Sequence, residues 1–323
     1  MRRRTALVAA LPLLLAAACG TAQKSTSTAS PGSAASSGQA AASAIKVTGA
    51  AGQKPTLTFP SGKPSLTSAS LKVLDGQGTP AKDGDVLTAK VTVYNWDGKE
   101  NKAAGSDYDQ NKSEFVTVSP QLPKALHEAL VGAKPGGRVM AVVAKDNLSA
   151  DQLTQAKQQG QDFDSTSQVL VIDVVSATLK SVQGTAVDPG VTGVKLDGSA
   201  GDKAPGLTTK TSEKAPKKLT VKTVIKGGGP EVKADQTVLA HYVGKIWGTD
   251  KKFDSSWDRG QPATFALNQV VKGWAQGLTG VPVGSRVLLT IPPELGYGKK
   301  GNEQGGIKGT DTLVFVVDVL GAA

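Results

Sequence analysis

The sequence predicts an α+β protein in which one strand-rich unit with a single short helix occurs twice. Three observations carry that expectation. From about residue 45 onward, short runs rich in Val, Leu and Ile alternate with Gly, Pro and Asp breaks, including Leu71–Leu74, Val86–Tyr94, Phe115–Val118, Val139–Ala144 and Val169–Val175. Each series is interrupted by one apolar pattern at helical spacing: Leu122, Ala125, Leu126, Ala129 and Leu130 in the first, Val271, Trp274 and Leu278 in the second. The first series also recurs in the second, with Thr79-Pro80 returning as Gly229-Pro230, Asp85 as Asp235 and Phe115 as Phe265 at an offset of 150.

The remaining correspondences fix the order of elements within each unit. LPKALHEALVGAKPGGRVMAVV (122–143) lies over VVKGWAQGLTGVPVGSRVLLTI (270–291), matching Gly132 with Gly280, Gly136 with Gly284 and Arg138 with Arg286. VLVIDVV (169–175) matches LVFVVDV (313–319). Several strands, one helix and further strands imply an antiparallel sheet with the helix on one face. Leu313, Phe315, Val317 and Val319 alternate onto the face that meets the helix. Gly273, beside Trp274, allows a close approach there.

A chain of 323 residues, 39% of them hydrophobic, supports two cores of ordinary size. Its one cysteine, Cys19, excludes an intrachain disulfide and a cysteine-based metal site. The formal charge is +10, of which +7 lies beyond residue 18. The lysines are scattered through linkers and turns, so no nucleic-acid partner is expected, and an anionic membrane surface is the better use of the excess.

Residues 1–18 join a basic start, Arg2-Arg3-Arg4, to the apolar run Ala6–Ala18, which is too short to span a bilayer and has the form of a signal peptide. The run ends Leu15-Ala16-Ala17-Ala18-Cys19-Gly20 and resembles a bacterial lipoprotein signal, with Ala16 where Leu is usual. That resemblance implies an exported chain lipidated at Cys19 and anchored to the outer face of the cytoplasmic membrane; plain secretion is the alternative. Residues 19–44, almost all Ser, Thr, Ala, Gly and Gln, are expected to form a disordered tether. The units then fall at 45–180 and 217–323, with 181–216 as a linker carrying an extended edge segment.

The second unit concentrates residues with chemical potential. Trp274 and Phe315 alone would be core. Asp254 ahead of Ser255-Ser256 is a turn former or part of a site, and Tyr297 in Gly296-Tyr297-Gly298 is a loop anchor or a hydroxyl donor. Trp257 is either a surface contact or an edge contact within the fold. His127 and His241 form no metal pair, and no nucleophilic triad or phosphate loop is present in the pattern.

HYVGKIW (241–247), KKFDSSWDRGQPATF (251–265), VVKGWAQGL (270–278), VPVGSRVLLTIPPELGYG (281–298) and TLVFVVDVL (312–320) together resemble the FKBP-type peptidyl-prolyl cis-trans isomerases, over roughly residues 217–321. The resemblance implies two FKBP-like domains, each a sheet half-wrapped around a short helix, with an aromatic, proline-accepting pocket in the second. Carried over by position, Asp254, Tyr297, Tyr242, Phe253 and Trp274 are its catalytic residues, and Val270, Val271, Ile307, Phe315 and Arg259 bind substrate. It also implies proline-containing unfolded or exported polypeptides as partners and macrolide inhibitors as ligands. Ala263 stands where the family has an aromatic, and Lys308-Gly309 where it has Pro-Pro, which bears on substrate and macrolide preference.

The chemistry needs no nucleophile, metal or cofactor. Rotation about an Xaa-Pro bond meets a barrier of about 20 kcal/mol, lowered by stripping water from the amide and holding the ring while the acyl side turns. Tyr297 and a backbone N–H near Ile307 are candidates to hold substrate carbonyls. Asp254 either sits against the turning carbonyl or orients Tyr242 and Arg259. At the offset of 150, Thr92, Ala103, Ala104 and Asp109 stand for Tyr242, Phe253, Asp254 and Arg259, and Leu126 and Leu170 for Trp274 and Phe315, so the first unit reads as a degenerate copy. The polar stretch Asn147–Thr166 replaces its tyrosine loop. The expected function is isomerisation that assists folding of exported chains, and the alternative is a non-catalytic, client-binding lipoprotein.

Overall fold

A computed structural model describes residues 34–197, 200–201 and 203–323. The signal peptide at 1–18, Cys19 and the tether as far as residue 33 lie outside them. The chain divides into two units between Ala177 and Thr178.

The first unit opens with helix α1 (Ala34–Ser43) and a small hairpin, β1 (Lys46–Thr48) with β2 (Thr56–Thr58). Then follow β3 (Ala69–Leu74), β4 (Val86–Trp96), β5 (Ala103–Ser106), β6 (Glu114–Thr117), α2 (Lys124–Leu130), β7 (Arg138–Val143), α3 (Ala150–Gln158) and β8 (Ser167–Ala177). The sheet runs β3-β7-β8-β4-β5, with β6 also on β4, and every pairing is antiparallel. Leu126 and Leu130 on α2, with Leu122 just ahead of it, pack with Val91, Val93, Val139, Ala141, Leu170 and Ile172 in one buried cluster. Helix α3, closed by a capping box between Ser149 and Gln152, occupies the polar stretch.

The second unit begins with another small hairpin, β9 (Lys195–Asp197) with β10 (Gly206–Thr208). It continues through β11 (Thr220–Ile225), β12 (Thr237–Ile246), β13 (Lys252–Ser255), β14 (Ala263–Ala266), α4 (Lys272–Leu278), β15 (Arg286–Ile291) and β16 (Leu313–Ala322). Its sheet order, β11-β15-β16-β12-β13 with β14 on β12, repeats the first. Trp274 and Leu278 on α4 meet Leu313, Phe315, Val317 and Val319 on β16. A Cβ on Gly273 would fall 2.4 Å from Ile291 Cγ2, so the glycine sets how closely helix and sheet approach.

One buried ion pair recurs in the two cores. Arg138 Nε and Nη2 donate to Asp173 at 2.8 and 2.9 Å, and Arg286 Nε and Nη2 to Asp318 at 2.6 and 2.8 Å, with both arginines fully buried. Each pair faces across the two central strands at a matching register position. The bidentate geometry is what permits charges to stay that deep.

Three expectations are corrected. Part of the expected tether, Ala34–Ser43, is helical: Ala42 and Ile45 bury against Trp96, Met140, Val142, Val169 and Val171, and small residues allow that close fit. The expected linker is an arm of the second unit, because tertiary bonds supply what its polar composition does not. Val187 N–H donates to Val224 O at 2.8 Å and Gly248 N–H to Thr209 O at 2.8 Å, and Leu179, expected in the first unit, donates its N–H to Leu320 O at 2.9 Å. Its sequence around β9 and β10, Gly198-Ser199-Ala200-Gly201-Asp202-Lys203, echoes Gly49-Ala50-Ala51-Gly52-Gln53-Lys54 between β1 and β2.

The third correction concerns the offset of 150. Asp173 faces Lys90 and Asp318 faces His241 across the paired strands, so β4 maps onto β12 at an offset of 151. Thr92 pairs with Ser106 and Val243 with Ser255, so β5 maps onto β13 at 149. The bulges after Val93 and after Gly244 agree. Val91 therefore stands for Tyr242, Ala104 for Phe253, Gly105 for Asp254 and Val116 for Phe265.

Candidate functional site

The two strands β12 and β16, helix α4 and the loop after β15 enclose a cavity of about 460 Å³ in the second unit, a size suited to a small ring or a short peptide segment. Trp274, 3% exposed, is its floor. Around it the rings meet edge to face: Tyr242 at 5.6 Å, Phe265 at 4.7 Å and Phe315 at 5.4 Å between centroids, with Phe253 a further 5.3 Å from Phe315. These contacts hold the rings in one arrangement and leave the slot preformed. Gly244, paired with Phe315 across the strands, makes room for it, since a Cβ there would lie 2.5 Å from Phe253 Cζ and 2.8 Å from Phe315 Cε1.

One wall is polar. Tyr242 donates its hydroxyl to Asp254 Oδ2, Arg259 Nη1 donates to Asp254 Oδ1 at 2.5 Å, and Arg259 Nη2 donates to the Tyr242 hydroxyl at 2.8 Å. Ser255 N–H adds a third bond to Asp254, at 2.8 Å. Burial pushes the Asp254 carboxyl up, but the Tyr242 hydroxyl and the Arg259 guanidinium outweigh it and hold it below the ordinary carboxylate range. Burial and the Asp254 bond push the Tyr242 phenol up to about 12. Both Asp254 oxygens are engaged, so this side chain fixes Tyr242 and Arg259 in place.

The cavity brings together Tyr242, Phe253, Asp254, Val270, Val271, Trp274, Tyr297, Ile307 and Phe315. Arg259 is not among its lining residues and reaches it only through Asp254 and Tyr242. Tyr297 stands at the rim, 39% exposed. The backbone N–H of Ile307 is occupied, donating to Asn302 O at 2.9 Å, and those of Gly305 and Gly306 are bonded within the same turn. Among the described residues the N–H of Val271, which lines the cavity just before α4, has no acceptor.

Five lining residues are not among those expected from the sequence: Phe265, Gln269, Asn302, Gln304 and Gly305. Phe265 matches Phe115 at an offset of 150, which hides it among the shared strand residues; the strand register instead gives the first unit Val116 there. Trp257 proves to be an edge contact, stacked on His241 at 5.0 Å and 9° between planes. His241 Nδ1 lies 2.9 Å from Ser256 Oγ, and His127 Nε2 lies 2.6 Å from Asp83 Oδ1. Both histidines are tied into local structure.

The family profile described as FKBP-type peptidyl-prolyl cis-trans isomerase matches residues 229–320. A probable FK506-binding protein of Corynebacterium glutamicum is 44% identical over 108 residues, 33% of this chain and 90% of that protein. The FK506-binding protein of Streptomyces anulatus is 45% identical over 107 residues, 32% of this chain and 86% of that one. The isomerase FkpA of Escherichia coli K12 is 41% identical over 102 residues, which cover 32% of this chain and only 37% of FkpA.

Proposed function

This chain belongs to the FKBP-type peptidyl-prolyl cis-trans isomerase family and is an enzyme of that class, and we propose that the slot over Trp274 is where its second unit holds the proline ring. The preformed five-ring slot beside the Tyr242–Asp254–Arg259 cluster is the observation that carries this reading. The ring enters between Tyr242, Phe265 and Phe315, and the Xaa-Pro amide is drawn out of water. Water stabilises the planar amide more than the twisted one, so its exclusion lowers the barrier. The Tyr297 hydroxyl and the Val271 N–H hold the flanking carbonyls while the acyl side rotates. Asp254 acts by keeping Tyr242 and Arg259 in place.

The non-catalytic alternative is not favoured, because a binder of unfolded chains has no need of so specific a polar wall. We read the clients as proline-containing chains folding outside the cytoplasmic membrane, with the protein anchored there through Cys19. The same slot suits macrolides of the kind named in its relatives. Isomerisation of a short Xaa-Pro peptide and suppression of aggregation of an unfolded protein are to be compared in wild type and in Asp254→Ala combined with Tyr297→Phe. The double variant is expected to lose at least about tenfold in kcat/KM, the loss of one or two transition-state hydrogen bonds. Unchanged isomerisation would overturn the site, and an inactive wild type that still suppresses aggregation would restore the alternative.

A further inference from the structure

The lip of the slot is a tight turn from Asn302 to Ile307, closed by Asn302 N–H to Ile307 O at 2.8 Å and by the reverse bond at 2.9 Å. Gly301, Gly305, Gly306 and Gly309 lie in or beside it, so the free segment has more conformations to lose than most loops. A bond from outside the turn fixes it: Lys251 Nζ donates to Gly306 O at 2.9 Å. Lys251 belongs to the turn between β12 and β13. The arm grips that turn from elsewhere, with Thr209 N–H donating to Asp250 Oδ1 at 2.9 Å and Lys245 Nζ bridging Leu207 O and Asp250 Oδ1. Trp247 Nε1 donates to Glu213 O at 3.0 Å. Asp250 adopts φ +61°, a left-handed conformation that a non-glycine residue keeps only when its surroundings hold it.

We propose that Lys251, backed by the arm, is a positioning residue for the isomerase site. It sets the height of the lip so that Ile307 and Gln304 close over the slot. The inference rests on the slot being the proline site. Lys251 touches no reacting atom, so its effect falls on substrate affinity and leaves turnover nearly intact.

The test uses the full chain and a short Xaa-Pro peptide at several concentrations. Lys251→Met keeps the aliphatic stem and removes the donor; KM should rise about threefold with kcat within about twofold, the loss of one charged hydrogen bond in water. Lys251→Arg should restore KM. Asp250→Gly keeps the left-handed turn but removes the Thr209 bond, one of several by which the arm holds the turn, and should raise KM by at most about twofold. Amide hydrogen exchange supplies a readout independent of activity: Lys251→Met should speed exchange at Ile307 and leave β15 and β16 unchanged. Unaltered KM together with unaltered exchange at Ile307 would overturn the proposal, as would a loss that arginine does not rescue. An inactive wild type would instead remove the slot reading on which it stands.

Discussion

The two units share strand order, bulges, helix and buried ion pair, yet only the second presents the aromatic slot described above. Five substitutions account for the contrast. Where the second unit has Tyr242, Phe253, Phe265, Trp274 and Phe315, the first has Val91, Ala104, Val116, Leu126 and Leu170, and these aliphatic residues all pack into or against one apolar cluster. Gly105 stands in place of Asp254, so the polar wall has no anchor. Pro123 holds the position of Val271 ahead of the helix, and a proline has no N–H to offer. Val93 fills the place of Gly244. A fold can thus be kept by its backbone partners and its ion pair while its chemistry is set by a handful of side chains on one face.

The comparison breaks most sharply at Gly244. Gly244→Val installs the first unit's residue and drives a branched side chain into Phe253 and Phe315; kcat/KM should fall at least about a hundredfold while the unit still folds, less stable by about 1–3 kcal/mol. The reverse change, Val93→Gly, should leave the isomerase activity of the full chain as it was. Retained activity in Gly244→Val would show that the slot is not the site.

The ion pairs test what the units have in common. Arg138→Met and Arg286→Met each leave a buried aspartate without its cation, Asp173 keeping only the Tyr108 hydroxyl, and should each cost about 3–5 kcal/mol in its own unit, followed by denaturant unfolding. A large loss in one unit alone would mean that the shared pair is not equally structural in both.

The smallest effect is one of pH. In the first unit burial, and then the neighbouring Asp107 carboxylate, push the Glu114 carboxyl up from the usual 4.5 to about 7. A carboxyl raised in the folded state stabilises below its ordinary range, and that contribution is lost as pH rises through about 7. Asp254 has the opposite sign, because its depressed carboxyl contributes above the ordinary range and is lost only as pH falls below it. The first unit should therefore melt at a slightly lower temperature at about pH 8 than at about pH 5, and Glu114→Gln should flatten that slope. A flat wild-type profile would place Glu114 in contact with water.

Much of this was legible in the residues. Strand and helix periodicity, the recurrent glycines and Arg138 with Arg286 are local patterns, and they gave the fold class and the duplication. The slot residues were legible from their spacing together with the family resemblance. What escaped depends on three dimensions. The offset slips from 151 to 149 between neighbouring strands, because the loops between them differ in length, and an ungapped match at 150 falls between the two. The arm has too little apolar content to announce itself, since its order comes from bonds to Val224, Ile246, Asp250 and Leu320. Which backbone donors stay free near Ile307 and Val271 is a matter of turn geometry that composition does not encode.

Gly244 also says something about how such proteins change over time. Its backbone is ordinary extended strand, so nothing but space requires a glycine there. A single added carbon at that spot would lie 2.5 Å from Phe253 and 2.8 Å from Phe315, so one of those rings would have to shift. A duplicated copy can therefore differ in its slot through side chains alone, with no outward sign in its strand order. Counting domains by shape finds the same strand order twice in this chain; looking for the aromatic slot finds it in the second unit.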